Sequence, residues 1–303
     1  MKARHLLSVF GFCLYANSLS ATDYCFVDKK HHWHFESDFA AMSNASFYRP
    51  SSVDNTQMQY AEGTSSLYYN HFVSENNAIV AQAGLNYTHV GWDKNPAFSG
   101  ENYYYGIFSV SLVSYAIERW RWIVNGGISF DITEWNVGQS GVYYALLWGR
   151  YQYTQNFAFH SGFFGYVSSN ARNGYMLPIL GCDWWWTKSW EFKLVFPLET
   201  SVNYHFTRNW SSSLMFTTFG GPYRFPRRMH EGIGVYEDGI FEIYSNGVEL
   251  DLRYATIGCL RAGVGGGYNF GGWMEMKDSN NHHKQYYKFD ASGYGRAYLN
   301  FTF

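Results

Sequence analysis

The sequence contains 11 histidines, which raises the question of a metal site. Two clusters stand out: His31, His32 and His34 in "HHWH", and His282 and His283 in "NHHK". Zinc and copper sites need three or four ligands that converge on one ion. The predicted strands place the two clusters at opposite ends of the fold, so the clusters cannot share an ion. We predict no metal site and no cofactor, although loose binding by the first cluster alone stays open.

Serine, histidine and asparagine side chains raise the question of hydrolysis. A hydrolase of this kind needs a serine, a histidine and an acid or amide on one surface. His160 and Ser161 are adjacent, and adjacent side chains of a β-strand point to opposite faces, so they cannot form a nucleophile–base pair. Ser201, Asn203 and His205 share one parity and are the best enzymatic candidates. Because such residues line any water-filled barrel, we favour a non-enzyme and keep a hydrolase as the least favoured alternative.

Charged residues of both signs occupy the polar parity of the strands identified below. Burying them in a dry interior would cost several kcal/mol each unless they were paired. The interior is therefore either wet, as in a narrow channel whose selectivity these residues set, or closely ion-paired, as in a closed barrel. The alternating signs of Glu249, Asp251 and Arg253 favour local pairing. The predicted lumen-lining residues are Arg121, Asp131, Arg150, Asp183, Lys193, Glu199, Glu249, Asp251, Arg253, Arg261 and Arg296.

The longest break between predicted strands, "GGPYRFPRRMHEGIGVYED", holds the densest basic patch, formed by Arg224, Arg227 and Arg228. Arginine binds phosphate oxygens through two parallel hydrogen bonds. One hypothesis is that this outer loop folds toward the pore or contacts lipopolysaccharide phosphates. A solvated loop without a ligand is the favoured interpretation.

Composition indicates which elements carry these residues. Aromatic residues make up 21% of the 303-residue chain and charged residues only 15%, against roughly 25% charged residues in ordinary soluble proteins. The mean hydropathy is nevertheless -0.30, and the apolar run "LLSVFGFCLYA" is shorter than the ~20 residues of a membrane-spanning helix. Strands that alternate lipid-facing and water-facing residues produce this combination. The net charge of -2, without a basic stripe, argues against a nucleic-acid partner.

The N-terminal residues 1–21 resemble a secretory signal peptide. Lys2 and Arg4 form its charged start, an apolar run follows, and Ala21 offers the cleavage site. An interfacial anchor is the less favoured alternative. We expect residues 22–55 to form a periplasmic segment, with or without a first strand in residues 38–50, and residues 56–303 to form the barrel. Cleavage of the signal peptide would remove one of the 4 cysteines. The odd number of cysteines that remains argues against a disulfide framework.

Alternation of apolar and polar residues predicts the strands. In residues 120–134 the even positions from Trp120 to Ile132 are apolar except Gly126, while the odd positions include Arg121, Asn125 and Asp131. A turn is predicted at Pro197, because proline would cost a ladder hydrogen bond inside a closed sheet. Further strands are predicted near 57–73, 78–89, 103–117, 142–154, 157–168, 175–186, 190–197, 199–206, 210–219, 239–246, 248–254, 258–270 and 286–303.

Short and long breaks alternate between these strands, as in up-and-down membrane barrels. A chain that enters and leaves on the same side needs an even number of strands. We predict an all-β, antiparallel, up-and-down transmembrane β-barrel of 12 or 14 strands and favour 12. A soluble β-sandwich is less favoured, because its outer face would carry threonine, lysine and glutamate rather than tryptophan, isoleucine and phenylalanine.

The final strand places Leu299, Phe301 and Phe303 on its lipid face, with Arg296 and Asn300 opposite. This pattern resembles the C-terminal signal of Gram-negative outer-membrane barrels. The resemblance implies recognition by the barrel-insertion machinery; the alternation itself indicates only a membrane-compatible strand.

Several aromatic and turn patterns are similar to those of a family of bacterial outer-membrane barrels grouped as a domain of unknown function. They include the Leu-Pro that enters the Trp-rich strand at "MLPILGCDWWW", the segment "WEFKLVFP", and "GVELDLRYATIGCLRAGVGGGYNF" near the end. The resemblance spans roughly residues 56–303 and implies the fold and an outer-membrane location, but no catalytic residues. We expect a pore or channel for small solutes, with lipid and lipopolysaccharide as partners. A closed structural or adhesive barrel that presents its loops is the alternative.

Overall fold

The computed structural model describes residues 32–49, 56–93, 101–133, 137–168, 174–224, 229–231, 234–236, 240–256, 260–277 and 284–303. Within these ranges the chain is almost entirely strand, with one short helix, α1 (Val137–Ser140). None of the helical structure in this part of the chain is long and apolar enough to cross a membrane. The predicted leader lies outside the described residues.

Eleven antiparallel strands follow one another around the wall. They are β1 (Trp33–Arg49), β2 (Gln57–Ser74), β3 (Asn77–Asp93), β4 (Glu101–Ser114), β5 (Trp120–Asp131), β6 (Val142–Thr154), β7 (Phe157–Ser168), β8 (Tyr175–Trp185), β9 (Trp190–Phe196), β10 (Glu199–His205) and β11 (Trp210–Phe219). Seven further strands complete the chain: β12 (Pro222–Arg224), β13 (Met229–Glu231), β14 (Gly234–Tyr236), β15 (Ile240–Ala255), β16 (Leu260–Lys277), β17 (Gln285–Phe289) and β18 (Ser292–Thr302).

Pairing of β1 with β18 closes the sheet into a barrel. The Trp33 amide donates to the Phe303 carbonyl at 3.1 Å, and the Phe303 amide donates to the Trp33 carbonyl at 2.9 Å. Both β17 and β18 pair with β1 and β16, so they are two halves of one interrupted wall strand. We call the end of the barrel that holds Trp33 and Phe303 the terminal end, and the opposite end the loop end.

The wall contains 14 strands, so the favoured total of 12 is wrong and the higher of the two totals holds. Residues 33–49 form a complete wall strand, and residues 240–255 form one strand rather than two. The alternation of β1 is weak because polar Ser37 and Ser43 share its outward face with Phe39. Pairing on both sides, with β2 and with β18, stabilises this strand.

The predicted turn at Pro197 is present between β9 and β10. It is tight, since the Leu198 amide donates to the Val195 carbonyl at 2.6 Å. Strands β9 and β10, which flank this turn, have 7 residues each and are shorter than their neighbours β8 and β11. The neighbouring β8 pairs with β9 only from Leu180 to Trp185.

The outward side chains form a band with an aliphatic centre and aromatic edges. The exposed central residues include Leu85, Val110, Leu147, Leu180, Leu194, Leu214, Leu250, Val264 and Leu299. At the terminal end, ring centroids are 4.8 Å apart in Trp33–Tyr69, 4.7 Å in Trp190–Tyr204 and 4.9 Å in Trp210–Tyr254. Toward the loop end, Tyr87 and Tyr104 lie 5.3 Å apart. Aromatic girdles around an aliphatic band are typical of a barrel that spans a lipid bilayer.

Replacing Leu250 by arginine is expected to destabilise the barrel in lipid by about 2–4 kcal/mol, the cost of a cation on the lipid face near the bilayer midplane. Leu250 is 61% exposed in the isolated barrel. Urea unfolding in phospholipid vesicles measures the effect, with Glu118→Arg in the β4–β5 turn as the control. Equal stabilities of the two variants would show that lipid does not contact this band.

Candidate functional site: the charged lumen

Ion pairs surround the terminal half of the lumen. Arg296 lies at the centre of one group: its Nη2 is 2.7 Å from Asp38 Oδ2, and its Nη1 is 3.8 Å from Glu249 Oε2. On β15, the strand that also carries Glu249, Arg253 Nε donates to Asp251 Oδ2 at 2.8 Å. The local pairing predicted from the alternating signs of β15 is therefore present between these two residues.

A second group lies on strands β6 to β10. Arg150 Nε donates to Asp183 Oδ2 at 3.0 Å, and Lys193 Nζ is 3.8 Å from Glu199 Oε2. Arg261 lines the same cavity as Arg253 and Arg296. Asp131 instead stabilises a turn at the loop end, because its Oδ1 accepts hydrogen bonds from the amide and the hydroxyl of Thr133.

Several lumen residues were not among those predicted. Glu36 and Asp38 come from β1, whose weak alternation hid its inward face. Glu191 shares its parity with Lys193 and could have been found by the same count; its side chain accepts a hydrogen bond from Asn203 at 3.3 Å. His160 is buried and lies on the inward side of β7.

Two cavities occupy the terminal half among these charged groups. One, of about 350 Å³, lies beside Arg121, Arg150 and Asp183, and Gln155 of the β6–β7 turn lines its terminal side. The other, of about 310 Å³, is lined by charged residues of both groups, including Lys193, Arg253 and Arg296, and extends to Asn209 in the β10–β11 turn. The terminal half thus combines paired charges with space for water or solute, which the sequence had presented as alternatives.

His160 connects the wall to the second ion-pair group. Trp148 Nε1 donates to His160 Nδ1 at 3.1 Å, and His160 Nε2 lies 3.0 Å from Asp183 Oδ2. An indole N–H can only donate, so Nδ1 carries no proton and the imidazole N–H faces Asp183. The arrangement orients the Asp183 carboxylate between His160 and Arg150.

The best enzymatic candidates, Ser201, Asn203 and His205, do not form a nucleophile–base pair. The Ser201 hydroxyl donates to Glu199 Oε1 at 2.9 Å. His205 stacks on Trp185 with ring centroids 4.9 Å apart, and its Nε2 is 3.6 Å from Glu191 Oε2. Serine and histidine therefore contact different carboxylates, and the geometry offers no activated nucleophile at this position.

The described histidines of the N-terminal cluster contact the wall. His34 Nδ1 lies 3.0 Å from Thr302 Oγ1, and His32 Nδ1 lies 3.0 Å from the Asn70 carbonyl. His31, His282 and His283 lie outside the described residues. Within the described ranges, no group of three or more histidine, cysteine, aspartate or glutamate side chains is arranged to hold a metal.

The loop half of the lumen is filled by side chains. Its inward residues form an apolar cluster that includes Met58, Ile243, Met274, Met276 and Phe289, each 1% exposed or less. A second cluster, around Leu146, Phe164, Ile179 and Leu198, covers the inner face of β6 to β9. Tyr223 belongs to the first cluster, so the described wall residues and β12 together close the loop half of the lumen.

Tyr223 of β12 reaches across the lumen. Strand β12 pairs with β15, yet the Tyr223 hydroxyl lies 2.7 Å from the Tyr60 hydroxyl of β2 and accepts from Thr88 Oγ1 of β3 at 3.4 Å. Its ring also lies 5.4 Å from that of Tyr103 on β4. Three wall strands lie between β15 and β2: β16, the interrupted strand formed by β17 and β18, and β1. β12 therefore contacts the opposite wall.

Gly220 lies between β11 and β12, which pair with β15 in one continuous register. It adopts φ 96°, a conformation that favours glycine, and a Cβ built there would lie 2.1 Å from the Ile243 carbonyl oxygen. The carboxylate of Glu62 on β2 is buried and accepts from the Tyr60 hydroxyl at 2.5 Å, next to the contact between Tyr60 and Tyr223.

The remaining predicted residues belong to the C-terminal signal and to the basic loop. Leu299, Phe301 and Phe303 are exposed on the lipid-facing side, opposite Asn300 and Thr302. Arg224 is the last residue of β12. Arg227 and Arg228 lie outside the described residues.

Solved structures similar to this chain are bacterial outer-membrane barrels. The Pseudomonas putida toluene transporter TodX has a TM-score of 0.39 at 8% identity, over 95% of this chain and 92% of its own. A Pseudomonas aeruginosa FadL homologue gives 0.35 at 10%, over 90% of each chain. The translocator domain of the autotransporter NalP from Neisseria meningitidis gives 0.34 at 7%, over 98% of this chain and 99% of its own.

These likenesses carry no functional argument, because all three TM-scores are below 0.5. No protein-family profile and no curated protein matches the sequence. The resemblance to the uncharacterised barrel family therefore stays a prediction.

Proposed function

We propose that this protein is an outer-membrane channel for small solutes whose resting state is closed at the loop end. The contact of Tyr223 with the opposite wall carries the proposal. Strand β12 continues β11 along β15 in the same register after Gly220 and Gly221, and the pairing of β11 with β15 closes the wall without it. Movement of β12 would take Tyr223 out of the first apolar cluster and open a path between the charged cavities and the loop end, while the pairing of β11 with β15 keeps the barrel intact.

The outer membrane is the location proposed for this barrel, with the terminal end in the periplasm. The lipid-facing band and the pairing of the final strand with β1 support a membrane-inserted barrel. The terminal Phe303 supports recognition by the barrel-insertion machinery, and lipopolysaccharide is the lipid partner proposed for the loop end. Recovery of the mature chain in the soluble periplasmic fraction would contradict this location.

Replacement of residues 222–239 by six Gly/Ser residues is expected to convert rare openings of the wild-type barrel into a steady conductance. Six extended residues span ~20 Å, enough to rejoin β11 to β15 without strain. The measurement is ion current across planar bilayers with refolded protein, and gel mobility without heating confirms folding. A folded replacement variant that passes no current would refute the channel.

A closed barrel that presents its loops is the second candidate. The nearly complete burial of the loop half, with Ile243 and Met274 at 0% exposure, favours it. The two candidates differ in the replacement experiment, because a closed barrel would stay closed when β12 is removed: the remaining side chains of the two apolar clusters would still fill it.

A further inference from the structure

The cavity of about 310 Å³ in the terminal half is lined by a buried amide group that lacks a hydrogen-bond partner. Asn300 of β18 lines this cavity and is 5% exposed. Its Oδ1 accepts no hydrogen bond from the described residues. A buried polar group of this kind lowers stability unless a bound molecule supplies the missing hydrogen bond. Asn300 therefore marks a position for water or a solute.

Asn300 lies in the middle of a row of three side chains that line the cavity. In the strand register it is directly opposite Arg261 of β16 on one side and Glu36 of β1 on the other. Neighbouring strands are about 4.8 Å apart, so one small molecule can reach all three side chains. The Glu36 carboxylate also accepts from the Tyr68 hydroxyl at 3.2 Å, which uses one of its roughly four acceptor sites.

The order of hydrogen-bonding groups along this row favours a solute that carries hydroxyl groups. The guanidinium can only donate, the amide can donate and accept, and the carboxylate accepts. A hydroxyl both donates and accepts, so neighbouring hydroxyls of one molecule can contact all three side chains. A solute carboxylate can only accept and an ammonium group can only donate, so each would satisfy one end of the row and not the other.

The formal charges around the cavity cancel. The described residues of its lining include as many aspartates and glutamates as lysines and arginines. Arg296 and Arg253 already pair with carboxylates, at 2.7 and 2.8 Å. A solute ion of either sign would find little net attraction and would lose its hydration on entry. A neutral solute can hydrogen-bond to both members of a pair, because a guanidinium has more donors, and a carboxylate more acceptor sites, than one pair uses.

Tyr298 supplies apolar surface beside the row. It is the inward residue of β18 that precedes Asn300, and it also lines the cavity. Its ring lies against the backbone of Gly263 on β16, where a side chain would collide with it. The cavity therefore combines an aromatic surface with placed polar groups, as ligand sites of about 300–1,000 Å³ do.

We propose that this cavity binds a neutral polyhydroxylated solute such as a monosaccharide, whose hydroxyls contact Arg261, Asn300 and Glu36. The cavity extends to Asn209 in the β10–β11 turn, so a solute reaches it from the terminal end. Transport of such solutes rests on the proposed function, whereas binding does not require β12 to move.

Calorimetric titration of the full-length barrel in detergent compares glucose with glucuronate and protonated glucosamine. The three sugars have the same ring, and only glucose is uncharged. We expect glucose to bind about tenfold more tightly than either charged sugar, because the balanced lining does not repay the dehydration of a charge. Equal affinities would overturn the proposal. Absence of glucose binding would also overturn it and would mean that water alone satisfies Asn300.

Asn300→Leu tests the row without adding or removing a charge. It removes a buried polar group that has no partner, so the barrel is expected to keep its stability. Glucose binding should weaken about fivefold or more, because the amide no longer contributes its hydrogen bonds. The control is Thr302→Val at the next inward position of β18, since Thr302 is also buried but does not line the cavity. Equal losses of affinity in the two variants would refute the site.

Binding and conduction are measured separately. Glucose binding by a barrel that passes no current, even after replacement of residues 222–239, would refute the channel and leave the site in place. Conduction by a barrel that does not bind glucose would refute the site and leave the channel.

Discussion

Alanine at position 223 is expected to raise the ratio of open to closed barrels by about a hundredfold or more. Tyr223 is 6% exposed and contacts Tyr60, Thr88 and Tyr103 on the opposite wall. Truncation of a buried aromatic side chain to alanine costs about 3–5 kcal/mol. If opening frees this side chain, most of that cost falls on the closed state, and 1.4 kcal/mol corresponds to a factor of ten.

Open probability in single-channel recordings is the measurement for Tyr223→Ala. Tyr104→Ala is the matched control, because Tyr104 lies between Tyr103 and Tyr105 on β4 but faces outward. Tyr223→Phe should give a smaller increase, since it removes the hydroxyl and keeps the ring. An open probability unaffected by Tyr223→Ala would show that β12 does not close the lumen.

Loss of the Arg296 guanidinium is expected to lower the free energy of unfolding by about 3–5 kcal/mol, the usual cost of removing one partner of a buried ion pair. Arg296 compensates Asp38 and Glu249, and their side chains are 24% and 1% exposed. Arg296→Gln would leave both carboxylates without this cation.

Urea unfolding in phospholipid vesicles measures this loss. Arg208→Gln, in the exposed β10–β11 turn, is the control and should change the stability little. Adding Asp38→Asn to Arg296→Gln should restore part of the stability, because it removes one of the uncompensated charges. A single variant as stable as the wild type would mean that water in the adjacent cavity solvates the carboxylates.

The two expected effects concern different halves of the barrel. Ion pairs surround two cavities in the terminal half, whereas apolar side chains and Tyr223 occupy the loop half, where we propose that the lumen is closed.

Local sequence determined the strands and their two faces. The period of two along a strand is a property of the backbone, so alternation in residues 120–134 predicted both β5 and the outward position of Val124. Pro197 marked the β9–β10 turn for an equally local reason, since it lacks the amide that a strand interior must donate. Such signals need no knowledge of distant residues.

Only the tertiary structure decided the strand count, the ion pairs and the closure. β1 becomes a wall strand because β2 and β18 both supply hydrogen-bond partners, and β18 is the last strand of the chain. Tyr60 and Tyr223 are 163 positions apart in sequence, yet their hydroxyls meet. Parity tells which face a residue takes, but not the height at which it meets a partner across the lumen. That height depends on strand stagger, tilt and barrel closure, which arise only when all 14 wall strands are in place.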